Sequence, residues 1–212
     1  MNLQYKYIAI TGTIGAGKTE LSKIVSDRRQ AKLILEEFTN NTFLEKFYEN
    51  PDRYGFPLEI SFLFERFQQL KVEFACSDLF KQSFVSDYIF DQCLLFAKNN
   101  LQDDQYSVFK TLYYPFYEQL PKPDLILYLH REVKHLLHNI KKRGRDFEQN
   151  IQFKYLKDLQ DAYLNYFRFI DDQRIVVLKL GDKDFLQNEK IVDKIIGIIN
   201  KDHNFGVSYI EL

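Results

Sequence analysis

The sequence predicts an α/β fold: a five-stranded parallel sheet flanked by helices, with a helical lid over one edge. Three observations lead there. Short apolar runs that read as buried strands alternate with longer stretches whose apolar residues recur at threes and fours. The first run, Tyr7-Ile8-Ala9-Ile10, leads straight into a glycine-rich loop and then a helical stretch. Late in the chain a basic segment, Lys141-Lys142-Arg143-Gly144-Arg145, closes another helical stretch.

Taken in order, Tyr7 to Ile10 is the first strand and Glu20 to Arg28 the helix after the loop. Lys32-Leu33-Ile34-Leu35 is a second short strand ending at Glu36-Glu37. A long helix follows, because Phe56, Ile60, Leu63, Phe67, Leu70 and Phe74 form one stripe. Ser83 to Ser86 is a third strand ending at Asp87, and two helices fill Ile89 to Gln119. Pro121 and Pro123 break the chain before the fourth strand, Asp124 to Leu129. Glu132 to Lys142 is a helix; Leu156, Leu159, Tyr163, Phe167 and Ile170 mark another. Arg174 to Leu180 is the fifth strand and Ile191 to Ile199 the last helix, while His203 to Leu212 carries no readable pattern.

The 212 residues suffice for one well-buried domain, expected over 1–212, with no linker or repeat to divide it. With 29 basic against 30 acidic residues there is no general pull toward nucleic acid or an anionic membrane. Cys76 and Cys93 are the only cysteines, without metal spacing, and read as two buried thiols in a reducing compartment. Neither a signal peptide nor a run of the roughly 20 apolar residues needed for a membrane span is present, so a cytoplasmic protein is expected.

Gly12-Thr13-Ile14-Gly15-Ala16-Gly17-Lys18-Thr19 is a complete GxxxxGK[ST] phosphate loop, and it assigns the fold to the P-loop NTP hydrolase-like type. Glycines let successive backbone N–H groups turn inward around phosphate oxygens at a helix N-terminus. Lys18 reaches the β- and γ-phosphates, and the Thr19 hydroxyl is placed to ligate Mg²⁺. In an open parallel sheet the carboxyl ends of the strands form the ligand edge, which collects the phosphate loop, Glu36 and Asp87. Phosphoryl transfer to a hydroxyl also needs a base and positive charge over the transferring group. Glu36 or Glu37 could be the base, Asp87 could hold Mg²⁺ through water, and Arg143 and Arg145 could close as a lid, at about 141–150. The bland alternatives are a solvated strand end, a helix cap at Asp87, and a basic helix end or nucleic-acid patch.

These residues resemble the deoxynucleoside kinase family, whose members pass the γ-phosphate of ATP to the 5′-hydroxyl of a deoxynucleoside. Glu36-Glu37-Phe38-Thr39-Asn40-Asn41-Thr42-Phe43-Leu44 is similar to the family's E-P-V-x-x-N-P-[FY]-L segment, which gives the base role to Glu36. The resemblance implies that Tyr48 bonds the sugar 3′-hydroxyl and that Glu59 and Arg66, two turns apart on one helix face, read the nucleobase. Arg143-Gly144-Arg145-Asp146-Phe147-Glu148 matches the lid R-x-R-x-x-E; its arginines hold phosphate and Glu148 helps bind the sugar. Lys183-Asp184-Phe185 resembles the loop that packs on adenine, adding Asp184 and Phe185 to the ATP site. With Asp87, these positions make up the expected substrate side. The resemblance further implies a homodimer, and Tyr113 to Tyr117 could serve as its interface or as core.

Three departures from the family pattern stand out. Asp87-Tyr88-Ile89 replaces [DE]-R-S, so the arginine that contacts Glu36 is missing; a bacterial branch is similar in this and in its Leu120-Pro121-Lys122-Pro123-Asp124-Leu125 run. Asn139 stands where many members carry another lid arginine. Glu59 stands where many have glutamine: an ionised Glu only accepts, which favours a base with two donors such as guanine, or else a protonated Glu must donate, whereas the resemblance points to a purine deoxynucleoside with deoxyadenosine first. A nucleoside monophosphate kinase of the thymidylate kinase type and a non-catalytic nucleotide-binding module are the alternatives; no NKxD- or DxxG-like segment supports a GTPase switch.

Overall fold

Tyr7–Thr11 (β1) is buried at all five positions, as expected where helices cover both faces of a parallel sheet and no polar alternation is needed. In the computed structural model, which describes residues 4–37, 41–75, 83–181, 185 and 188–212, β1 lies inside a six-stranded sheet of order β2-β3-β1-β4-β5-β6. The other strands are Lys32–Ile34 (β2), Phe84–Ser86 (β3), Leu125–His130 (β4), Arg174–Lys179 (β5) and Gly206–Glu211 (β6). Every pairing is parallel, with Ile8 opposite both Val85 and Leu125.

The helices are Lys18–Arg29 (α1), Leu44–Glu49 (α2), Pro51–Ala75 (α3), Gln92–Asn100 (α4), Asp103–Tyr117 (α5), Val133–Arg143 (α6), Phe153–Phe167 (α7) and Glu189–Ile199 (α8). Successive residues of β1 face opposite sides of the sheet. Ile8 and Ile10 pack with Leu21 and Val25 of α1, Leu136 and Ile140 of α6, and Ile195 and Ile199 of α8. Tyr7 and Ala9 pack on the other side with Leu95 of α4 and Tyr163 and Phe167 of α7. A further cluster joins Leu63, Phe67 and Leu70 of α3 to Phe109 and Tyr113 of α5.

The sheet has six strands, not the five expected. β6 pairs with β5 along its whole length, from Arg174 opposite Gly206 to Lys179 opposite Glu211. As an edge strand it is only half covered, so Gly206-Val207-Ser208-Tyr209-Ile210-Glu211 needs no continuous apolar run and gives no buried-strand signal. The Tyr113 to Tyr117 stretch divides around its helix: Tyr113 is core, whereas Tyr114 is 51% exposed. Among the described residues no helix is long and apolar enough to cross a membrane. Cys93 is a buried free thiol; Cys76 lies outside the described residues.

Candidate active site

The phosphate loop sits between β1 and α1, and its backbone requires glycine. Gly15 and Gly17 have φ of 82° and 92°, in the left-handed region open to glycine at little cost. Space demands the same residue, since a Cβ would lie 2.7 Å from the Leu136 carbonyl oxygen at Gly15 and 2.9 Å from Phe185 Cζ at Gly17. Lys18 opens α1 and donates from Nζ to the Thr13 carbonyl at 3.2 Å. Burial lowers its pKa, while the carboxylates of Glu36 and Asp87 pull it back up.

Asp87, at the end of β3, joins the loop to the next strand. Its Oδ2 accepts from the Thr19 hydroxyl at 2.6 Å and its Oδ1 from the Glu36 backbone N–H at 2.7 Å. Burial raises the Asp87 pKa despite those bonds. A hydroxyl beside a carboxylate, both hard oxygen donors, suits Mg²⁺.

Glu36 follows β2 and points into the same cleft as Lys18 and Asp87. Its Oε1 accepts from Arg66 Nε at 2.9 Å, from Arg66 Nη2, and from Gln92 Nε2 at 3.1 Å. Among the described residues its Oε2 has only a long 3.4 Å contact, from Gln92. Three donors thus crowd one oxygen and leave the second lightly held. Burial alone would raise this carboxyl, but Arg66 and Lys18 hold it below the usual 4.5, so it is ionised at neutral pH. Glu37, the other candidate base, is exposed.

Phe47, Leu58, Phe62 and Phe96 give the cleft apolar walls, the usual make-up of a site for a flat organic ligand. Glu59, 1% exposed, lies on its α3 wall, and its Oε1 accepts from Asn100 Nδ2 at 2.7 Å. Tyr48 stacks on Phe147 with ring centroids 6.0 Å apart. Glu148 bridges both lid arginines, Arg143 Nη2 to Oε2 and Arg145 Nη1 to Oε1 at 3.2 Å.

On the other side of the phosphate loop a second cavity is lined by Gly15 to Gly17, Arg131, His135, Asn139, Lys142 and Phe185. Phe185 is buried and lies 5.6 Å from the Arg131 guanidinium. Asn139, in place of an arginine, donates to the Gly15 carbonyl at 2.8 Å and ties α6 to the loop.

Ile14, Lys18, Thr19, Glu36, Tyr48, Glu59, Arg66, Asp87, Arg143, Arg145 and Glu148 therefore share one cleft. Asp184 lies outside the described residues, as do Phe38 to Asn40 of the Glu36 segment. Tyr88 does not replace the missing arginine, because it is buried with its hydroxyl donating to Gln69 Oε1 at 2.6 Å. Arg66, expected to read the base, also stands against Glu36. Gln92, Asn100 and Arg131 were not anticipated. Arg131 follows β4 at the sheet's carboxyl edge, a signal available in the sequence; Gln92 and Asn100 offered none.

Residues 8–203 match the family model described as deoxynucleoside kinase. The chain is 36% identical over 196 residues to a deoxyguanosine kinase of Bacillus subtilis, covering 89% of this chain and 93% of that protein. It is 31% identical over 208 residues to the deoxyadenosine/deoxycytidine kinase of the same organism, covering 91% and 93%. The solved structure of deoxyadenosine kinase from M. mycoides with bound dATP superposes with a TM-score of 0.75 at 25% identity, covering 92% of this chain and all (100%) of that one.

Proposed function

The chain belongs to the deoxynucleoside kinase family, and from that premise we propose that it transfers the γ-phosphate of ATP to the 5′-hydroxyl of a purine deoxynucleoside. The observation that carries this reading is the single cleft lined together by Glu36, Lys18 and Thr19, in which Glu36 Oε2 is held only by a 3.4 Å contact from Gln92 among the described residues. Glu36 takes the hydroxyl proton on Oε2 while Arg66 and Gln92 keep the carboxylate oriented through Oε1. Gly12 to Thr19 and Lys18 cradle the donor phosphates. Arg143 and Arg145 exchange Glu148 for the transferring group and spread its charge. Tyr48 and Glu148 bind the sugar, Glu59 reads the base, and Phe185 packs on the donor's adenine. Thr19 and Asp87 would hold Mg²⁺, which when bound neutralises phosphate charge.

The phosphate-loop fold, with its lid over 141–150, forms one catalytic domain across 1–212. An ionised Glu36 beside the acceptor repels a phosphorylated one, which favours a nucleoside over a nucleoside monophosphate. The kinase acts in the cytoplasm as a homodimer; the free thiol of Cys93 and the exposed Val108, Leu112 and Tyr114 on α5 support that. Deoxyadenosine is the first acceptor in this reading and deoxyguanosine the second; the Bacillus subtilis relatives are named for deoxyguanosine and for deoxyadenosine and deoxycytidine.

The test is an ADP-release assay with MgATP and, in turn, the four deoxynucleosides, their ribonucleosides and the deoxynucleoside monophosphates. Turnover with purine deoxynucleosides is the expected result. Turnover only with a monophosphate would overturn the assignment of Glu36.

A further inference from the structure

Glu59 is a buried carboxyl with one oxygen committed and the other not. Oε1 accepts from Asn100 Nδ2 at 2.7 Å, whereas Oε2 is buried without a hydrogen-bond partner. The side chain lines the acceptor cleft. Asn100 reaches it because α3 and α4 approach closely at Gly55, one turn before Glu59, where a Cβ would lie 3.1 Å from the Asn100 carbonyl oxygen. An amide N–H can only donate, so Asn100 keeps Oε1 an acceptor in both protonation states and leaves any proton to Oε2.

We propose that Glu59, positioned by Asn100, selects the nucleobase by its protonation state: ionised, it accepts from the N1–H and 2-amino group of guanine; protonated, it donates from Oε2 to a ring nitrogen of adenine and accepts the 6-amino group on Oε1. This rests on the deoxynucleoside kinase reading of the cleft. Between the two forms of Glu59 the donor–acceptor logic is strict, because two adjacent donors match only the carboxylate and a donor beside an acceptor matches only the carboxylic acid. A buried group left mismatched is penalised far more than one left in water.

The surroundings put this switch near neutrality. Burial pushes the Glu59 carboxyl up from 4.5 to about 7, against the opposing pull of the Asn100 bond and the Arg66 charge. Arg66 faces it from α3 itself and Glu36 from beyond β2, the latter raising it. Tyr48 of α2, Cys93 of α4 and Tyr155 of α7 are further titratable neighbours, all three held in their neutral forms by burial. Arg143, Arg145 and Glu148, with Lys18 and Asp87, line the same cleft.

The experiment is a competition. Equimolar deoxyadenosine and deoxyguanosine are offered together with MgATP to the full chain between pH 6 and 8, and the dGMP-to-dAMP product ratio is read. Titration of Glu36, the lid or ATP affects both products alike and cancels from that ratio. The expected ratio rises about tenfold per pH unit, following the ionised-to-protonated ratio of Glu59. Glu59→Gln, which cannot titrate, should flatten it. Asn100→Ala removes a donor that favours the ionised form and should shift the ratio toward dAMP at every pH with the slope kept. A flat ratio in the wild type, or an undiminished slope in Glu59→Gln, overturns the proposal while the kinase reading stands. Phosphorylation of neither purine nucleoside overturns both the purine reading and this one.

Discussion

Replacing Arg66 by leucine removes the cation against Glu36 and leaves the carboxyl in place. The two side chains are 5% and 13% exposed, so the pair is buried, and Arg66 supplies two of the three close donors to Glu36 Oε1. Breaking a buried pair from one side costs about 3–5 kcal/mol, because the remaining charge stays uncompensated. Lys18 and Gln92 still face Glu36, which places the cost at the lower end, about 3 kcal/mol, or roughly a hundredfold against the ionised form. The sign follows from the base role. A base works when ionised, and Glu36 is held below its ordinary 4.5, so with deoxyadenosine, whose acceptance calls for protonated Glu59, wild-type kcat/KM stays level from about pH 6 down to that pH and falls only beneath it. Without Arg66, burial dominates and the fall begins at higher pH. The assay is kcat/KM for deoxyadenosine from pH 5 to 9 in both proteins, with circular dichroism confirming the fold. An acid limb in Arg66→Leu that coincides with the wild type would refute the claim that Arg66 keeps Glu36 ionised. Arg66→Lys should recover only part of the loss, since an ammonium cannot reproduce the two-nitrogen contact.

Glu36→Gln should lower kcat at least about a hundredfold with ATP binding little changed; near-normal turnover, with ATP affinity measured by calorimetry, would remove the base from this position. Arg145→Ala should lower kcat by about tenfold or more, through lost transition-state charge, and leave the melting temperature close to wild type, because its contact to Glu148 is partly exposed; an effect on solubility alone would sink the lid assignment. Truncation after Asn204 removes β6, with the partly buried Val207, Ile210 and Leu212. At about 1 kcal/mol each and about 2–4 °C per kcal/mol, Tm should fall by on the order of 10 °C. Because β6 lies at the far edge from β2 and β3, kcat/KM at 20 °C should hold; lost activity in a folded truncation would contradict that separation.

By itself, the sequence determined whatever is contiguous. Gly12 to Thr19 is a phosphate loop because eight neighbouring residues must all fold one way round one anion, and a short pattern suffices to show it. The inner strands β1, β4 and β5 were readable because burial on both faces forces unbroken apolar runs, while β2, itself at an edge, was legible from the short run Leu33-Ile34-Leu35. The sixth was not, since a half-covered edge strand is under no such demand. Tertiary structure alone decided which polar groups meet. Glu36 and Arg66 are 30 residues apart, Glu59 and Asn100 are 41 apart, and each pairing depends on where α3 packs against β2 and α4. That packing also bears on the missing arginine: Tyr88 is turned into the core, and Arg66, a cation from α3, reaches Glu36. Charge must be balanced in a buried site, but any helix that arrives at the right distance can balance it, and distance across a fold is not written in residue order.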